Sequence, residues 1–545
     1  MKSFWKALKW WTRTSLCAWL GRPARVFRRP ERLGLVGVVF AAVISIAAAA
    51  PSESSERPNF VFILSDDAAW QAVSAYRHGL PVETPNLDRI AQEGMRFDRC
   101  TVANSICSPS RATLLTGTHS HINGVPDNFT RFDNSQVTYP QLLQAAGYQT
   151  ALIGKWHLHT MPSGYDYYDI LDGQGRYFDA RFIRKGEDTM YQVQGHTDEI
   201  IGGKGVEWLH EQRDAGRQFL LSLQFKVPHG PFMAPAAQLD ALEGVVFPEP
   251  PTLFDDYKGR SQAARDARMR LADHLSERDL KVATIAEPSG ADREAWNAFH
   301  EQVRAEYATV PKSGRERTRW VYQRFMQDYM RCMLALDHQV GRVLDTLEEL
   351  GLTDNTVVCF AGDQGFFLGE HGWWDKRFMY EPSFRTPFLV RAPGVTSPGS
   401  ATSALVQNID WAPTILGLAG LPVPERMQGR SLVPLLRGEK PADWRASLYY
   451  HYYEGPEGDH KVARHEGVAT ERHKLIHFYE LEEWEFYDLQ TDPTEVRNRY
   501  DDPAVASVVA GLKKELRRLR AFYEVPPNDT IPRTERRPMQ TLGVR

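Results

Sequence analysis

Four short apolar runs, far apart in the chain, each stop on residues capable of chemistry. Asn59-Phe-Val-Phe-Ile-Leu-Ser65 runs into Asp66-Asp67, and Thr150-Ala-Leu-Ile-Gly154 into Lys155-Trp156-His157. Phe219-Leu-Leu-Ser-Leu-Gln-Phe225 runs into Lys226-Val-Pro-His229, and Thr356-Val-Val-Cys-Phe-Ala-Gly362 into Asp363-Gln364. Continuous apolar runs of this length predict strands buried on both faces of a parallel sheet. Helical patterns over 86–93, 139–146, 197–212 and 320–350 lie between them, and the alternation predicts a layered α/β sandwich. In such sheets the ligand site forms beyond the carboxyl ends of the strands. All four runs are therefore expected to deliver their polar ends to one edge.

The chain has 545 residues, 25% charged and 42% hydrophobic, which excludes a disordered protein and a multi-span membrane protein. One large and one smaller domain are expected. Nine basic residues before position 33 stand against the single acid Glu31, so the remainder carries a formal charge of about −12. An acidic body argues against a general nucleic-acid binder. The basic stretch runs into the apolar segment Leu33 to Ala50, so 1–50 reads as an export signal cleaved near Ala49 or Ala50. The alternative is an uncleaved anchor, since about 18 apolar residues is the lower limit for a span. With cleavage, no membrane span is expected, and the protein is exported to the periplasm or beyond. Five cysteines do not make a disulfide framework: Cys17 belongs to the signal, and Cys332 and Cys359 read as core residues.

The catalytic region is expected over 57–440. Between 254 and 312 the chain turns highly charged and helix-prone, which fits either a helical insertion roofing the site or a solvated excursion. Aromatic and β-branched runs over 444–453 and 467–487 predict an antiparallel sheet, followed by a helix over 504–523. This gives a smaller α+β unit over 441–525 and a loose tail over 526–545.

Asp66-Asp67 and Asp363-Gln364 place three carboxylates and an amide oxygen at two strand ends. Hard oxygen donors without a Cys/His cluster suit Ca²⁺ or Mg²⁺ rather than zinc, and calcium better tolerates several carboxylates in irregular geometry. A lone Asp-Asp pair would read as a cap or turn; two such pairs at equivalent strand ends favour a metal. Cys107-Ser-Pro-Ser-Arg111 precedes a helical stretch over 112–116, where free N–H groups attract anions and lower a thiol's pKa. Taken alone, the motif reads first as a capped helix with an inert thiol.

Cys107-Ser108-Pro109-Ser110-Arg111, continuing to Leu114-Leu-Thr-Gly117, resembles the C-x-P-x-R signature of the type I, formylglycine-dependent sulfatases of the alkaline phosphatase superfamily. Gly154-Lys155-Trp156-His157 is similar to the family's second signature, and Pro228-His229, Asp363-Gln364 and Lys376 fall where the family keeps its other site residues. The resemblance implies an alkaline-phosphatase-like α/β/α sandwich with a large, mixed, mostly parallel sheet, plus a smaller C-terminal antiparallel sheet with a packed helix. It implies that a maturation enzyme oxidises Cys107 to formylglycine, whose hydrate is the nucleophile. Asp66, Asp67, Asp363 and Gln364 would hold Ca²⁺ together with residue 107. Arg111 would orient the hydrate, Lys155 and Lys376 would grip sulfate, His229 would protonate the leaving alkoxide, and His157 would take the proton of the second hydroxyl. Gln364, where many members have Asn, keeps the amide oxygen on a longer arm.

The stretch Gly365 to Glu381, together with 128–132 and 254–260, resembles bacterial N-acetylglucosamine-6-sulfatases. It implies a sulfated carbohydrate substrate. His371 and Asp375, flanking Lys376, are expected to bond sugar hydroxyls, and Trp373 or Trp374 either stacks on a sugar or packs internally. The histidines between Asp459 and His477 are assigned no role. Two other functions fit less well: a phosphonate monoester or phosphodiester hydrolase of the same superfamily, and a catalytically silent glycan-binding protein on the same scaffold.

Overall fold

The computed structural model describes residues 57–527 apart from 284–287 and 289–290. The export segment 1–50 and the tail from 528 lie outside the described residues. All four apolar runs form strands, Asn59–Asp66, Gln149–Gly154, Phe219–Pro228 and Thr356–Gly362, and they lie side by side. Across the sheet the order is Thr356–Gly362, Asn59–Asp66, Phe219–Pro228, Gln149–Gly154, every neighbour parallel. Ser65 pairs with both Gly362 and Phe225, and Gly154 with Gln224. The four carboxyl ends therefore come level on one edge. Shorter strands extend this core to ten, with antiparallel pairings toward both flanks.

Alternation within Asn59–Asp66 splits the core into two layers. Val61 and Ile63 face the helices Thr197–Glu207 and Arg315–Glu349 through Ile201, Leu336 and Val340. Phe60, Phe62 and Leu64 face Ala112, Leu115 and Trp411 on the other side. Phe62 stacks on Trp411 with ring centroids 4.4 Å apart. The sheet is thus covered by helices on both faces, as parallel strands require.

A second, four-stranded antiparallel sheet follows the chain order Leu448–Tyr452, His465–Ala469, His473–Phe478, Glu483–Asp488. The helix Ala506–Phe522 covers one face through Val509, Leu512, Leu516 and Leu519. The opposite face, including Tyr450, Tyr452 and Phe478, packs on Trp373, Phe378, Tyr380 and Phe384 of the catalytic region. The small sheet thereby backs the segment that carries Lys376. The charged region 254–312 forms the helices Gln262–Asp266, Leu271–His274 and Ala291–Tyr307.

Candidate active site

The helix after the nucleophile motif begins at Cys107 itself and runs to Thr116, five residues earlier than the 112–116 pattern indicates. Pro109 does not prevent this, because it falls in the first turn, where backbone N–H groups have no helical acceptor. Ser108 N–H is instead taken by the Asn128 side chain at 2.9 Å. The start of this helix brings Cys107 to the sheet edge, where its thiol donates to Asp66 Oδ1 at 3.4 Å.

Carboxylate oxygens of Asp66, Asp67 and Asp363 lie within 4.8 Å of one another. The cations around them are equally buried. Lys155 bonds Asp66 Oδ2, and Lys376 bonds both Asp67 oxygens at 2.6 and 2.7 Å. Arg111 reaches Asp363 at 3.0 and 3.1 Å and donates to the Lys155 carbonyl and to Gln224 Oε1, both at 2.8 Å. Its Nη2 lies 3.7 Å from Asp66 Oδ1. Three carboxylates thus face three fixed cations in a site nearly closed to water. Electrostatic interactions are strong in such a place.

The titration of these groups follows from that balance. Burial alone would raise Asp66, but Lys155, His229, Arg111 and Lys376 outweigh it and hold Asp66 well below the usual carboxylate range. Asp67 is pushed up to about 7, by burial first and by Asp66 and Asp363 after, against the pull of Lys376. Asp363 is raised by burial and by Asp66. Burial pushes the Cys107 thiol up despite Lys155 and Lys376, so the thiol as such is a poor nucleophile. His157 and His229 are both held well below the ordinary histidine value, by burial first and by the nearby lysines.

A divalent cation suits these donors. Two of the three clustered carboxylates resist ionisation without one. Gln364 Oε1 is buried with no hydrogen-bond partner, while its Nε2 turns toward Asp67 Oδ1. An orphaned buried acceptor beside a strained carboxylate cluster is what a hard, oxygen-seeking ion would relieve.

His229 stands at the end of Phe219–Pro228, its Nε2 3.9 Å from Asp67 Oδ2 and its Nδ1 2.8 Å from the Gly230 carbonyl. A carbonyl only accepts, so Nδ1 carries the proton and Nε2 faces the cluster. His157 follows Lys155 out of Gln149–Gly154 and takes a left-handed φ of 55°. The Ser108 hydroxyl donates to its carbonyl at 2.7 Å and lies 3.4 Å from its Nδ1.

The expected sugar-binding residues part company. Asp375 adjoins the cluster, 3.6 Å from Lys376 Nζ and ion-paired with Arg377. His371 makes its side-chain contacts elsewhere. Its side chain is buried, and its Nδ1 lies 2.8 Å from Asp255 and 3.0 Å from Arg260. These contacts tie it to the start of the charged insertion. Trp373 is likewise internal, stacked between Tyr257 at 5.3 Å and Phe378 at 5.0 Å. Two residues without an assigned role lie against Asp375. Arg377 pairs with Asp375, and His460, from the small unit, sets Nε2 3.4 Å from Asp375 Oδ2. Arg377 could have been noticed as the second cation of Lys376-Arg377. Nothing local marks His460.

A mostly parallel sheet sandwiched by helices, with an acidic cluster and fixed cations at its carboxyl edge, defines a hydrolase of the alkaline-phosphatase-like α/β/α class acting on an anionic ester. The sulfatase family profile matches residues 58–421, and that of the N-sulphoglucosamine sulphohydrolase C-terminal region matches 369–522. The chain belongs to the sulfatase family and is a sulfuric ester hydrolase. It is 43% identical over 508 residues to the N-acetylglucosamine-6-O-sulfatase of Bacteroides thetaiotaomicron, covering 89% of this chain and 90% of that one. The human N-acetylglucosamine-6-sulfatase is 25% identical over 424 residues, covering 73% of this chain and 68% of the human protein. The solved structure of BT4656 with its substrate D-glucosamine-2-N,6-O-disulfate superposes with a TM-score of 0.84 at 42% identity, over 88% of this chain and all of that one.

Proposed function

We propose that this sulfatase is exported and removes the 6-O-sulfate of N-acetylglucosamine, or of a related glucosamine unit in a glycosaminoglycan or mucin glycan. The observation that carries the reading is the shared edge of Cys107, three carboxylates and three cations beside Asp375, in a chain so similar to an N-acetylglucosamine-6-O-sulfatase. Cys107 is matured to formylglycine by a dedicated enzyme, and its hydrate supplies the hydroxyl that attacks sulfur. Ca²⁺, or less favourably Mg²⁺, held by Asp66, Asp67, Asp363, Gln364 and residue 107, supplies a fixed divalent charge for the anionic ester.

The chain's own side chains carry the rest. Lys155 and Lys376 offset charge on the sulfate oxygens as the S–O bond breaks. The electron pair of that bond goes to the sugar oxygen, which takes a proton from Nε2 of His229; for this the ring must be the imidazolium, the form that the negative charge of the bound ester favours against burial. Arg111 orients the group at 107, and His157 accepts the proton of its second hydroxyl. Asp375, with Arg377 and His460 fixed around it, meets sugar hydroxyls. Export follows from the basic and apolar segment before Pro51. Among the described residues no helix is long and apolar enough to cross a membrane.

The test is a panel of sulfated monosaccharides offered to protein whose formylglycine has been verified by mass spectrometry. Sulfate should be released from 6-sulfated N-acetylglucosamine, and Cys107→Ala should lose activity by at least about 10⁴-fold. Release confined to 2-, 3- or 4-sulfated sugars would reject the substrate, and an active preparation with unaltered Cys107 would reject the nucleophile.

A further inference from the structure

His229 sits just past the last residue of Phe219–Pro228, in a turn closed by the Phe232 N–H on the His229 carbonyl at 3.2 Å. Its ring hangs from the adjacent main chain through Nδ1 on the Gly230 carbonyl. The aim of Nε2 therefore depends on where the backbone at 229–230 lies. An error of about 1 Å in such a group can cost about 10²-fold in rate.

Two buried side chains outside the candidate site hold that backbone. Asp198, in the first turn of Thr197–Glu207, accepts with Oδ1 from the N–H groups of Lys226 at 2.7 Å and Val227 at 3.2 Å. Tyr177, on the loop after Tyr167–Leu171, donates its hydroxyl to the His229 carbonyl itself. The Lys226 ammonium lies 4.9 Å from the Tyr177 ring centroid and donates to the Gln174 carbonyl at 3.2 Å, which ties the same loop to the same strand end. Tyr177 is 1% exposed and Asp198 is fully buried.

The geometry points to Tyr177 as a positioning residue for the proton-transfer step, acting through the His229 carbonyl, with Asp198 as the second anchor. This rests on the proposed role of His229 as the donor to the leaving oxygen. The Tyr177 hydroxyl donates to the His229 carbonyl, not to a carboxylate of the cluster. Its effect reaches the reaction only through the histidine.

A double-mutant cycle separates this role from plain structural support. Tyr177→Phe keeps the ring and its contact with Lys226 and deletes only the hydroxyl, which also meets the Cys332 thiol. On 6-sulfated N-acetylglucosamine it should lower kcat about tenfold with KM within about twofold. His229→Gln alone should lower kcat by at least about 10²-fold. Adding Tyr177→Phe to His229→Gln should then change kcat by less than about twofold. A tenfold loss in both backgrounds would overturn the inference while leaving His229 as donor. Near-normal kcat in His229→Gln would overturn the donor role and the inference with it. If Tyr177→Phe fails to fold, Asp198→Asn takes its place in the same cycle, non-additivity supporting the inference and additivity overturning it.

Discussion

Without a metal, Asp67 is costly to keep ionised, and the cost can be read as stability. Its folded value of about 7, set by burial first and then by Asp66 and Asp363 against Lys376, compares with about 3.9 for an ordinary aspartate. The folded state binds this proton more tightly than the unfolded chain does. Protonation of Asp67 therefore stabilises the fold: the contribution is complete below about pH 4 and is lost as pH rises through about 7. At about 1.36 kcal/mol per unit, the full window is worth about 4 kcal/mol. About 2 kcal/mol of that falls between about pH 5.5 and pH 8.5.

Buried histidines hide this in the raw stability curve. His119, His157, His229 and His451 are all lowered by burial, so their contribution is present at high pH and lost on acidification, the opposite sign. Asp67→Asn removes one term and leaves the histidines in place. In EDTA, urea denaturation should find wild type gaining about 2 kcal/mol relative to Asp67→Asn between about pH 8.5 and pH 5.5. Saturating calcium should cut that gain to below about 0.5 kcal/mol, because a bound ion keeps the carboxylate ionised. If the two proteins change in parallel in EDTA, the electrostatic account of the cluster is wrong.

Two further predictions concern groups around the same edge. Lys376→Met should lower kcat on 6-sulfated N-acetylglucosamine by roughly 10² to 10³, the effect of losing one fixed donor to developing negative charge; a loss under about tenfold would remove Lys376 from the reaction. Gly154→Ala should destabilise the fold by about 3 kcal/mol in urea, since its φ of 107° is unfavourable for alanine and a Cβ would run into the Gln224 carbonyl. A change under about 1 kcal/mol would mean that the strand end carrying Lys155 is looser than its contacts imply.

The two levels of information divide along physical lines. Four apolar runs interrupted by polar residues dictate four buried parallel strands, because only a covered sheet accommodates them. The edge that collects Asp66, Lys155, His229 and Asp363 follows from strand polarity alone. The strand-borne part of the candidate site is legible in this way, whereas Cys107, Arg111 and Lys376 enter only through the resemblance to the sulfatases. Interior neighbours of different sequence origin were not legible. His371 and Asp375 flank the same lysine within six residues, yet one bonds Asp255 and Arg260 of the charged insertion and the other lies beside Lys376. His460 approaches Asp375 only because the small sheet packs on the segment around Phe378. Tyr177 reaches His229 across 52 residues through a loop with no periodic pattern. Local periodicity encodes which face is buried and where a strand stops. The pairing of one buried polar group with another depends on long-range packing, which no single stretch of the chain contains.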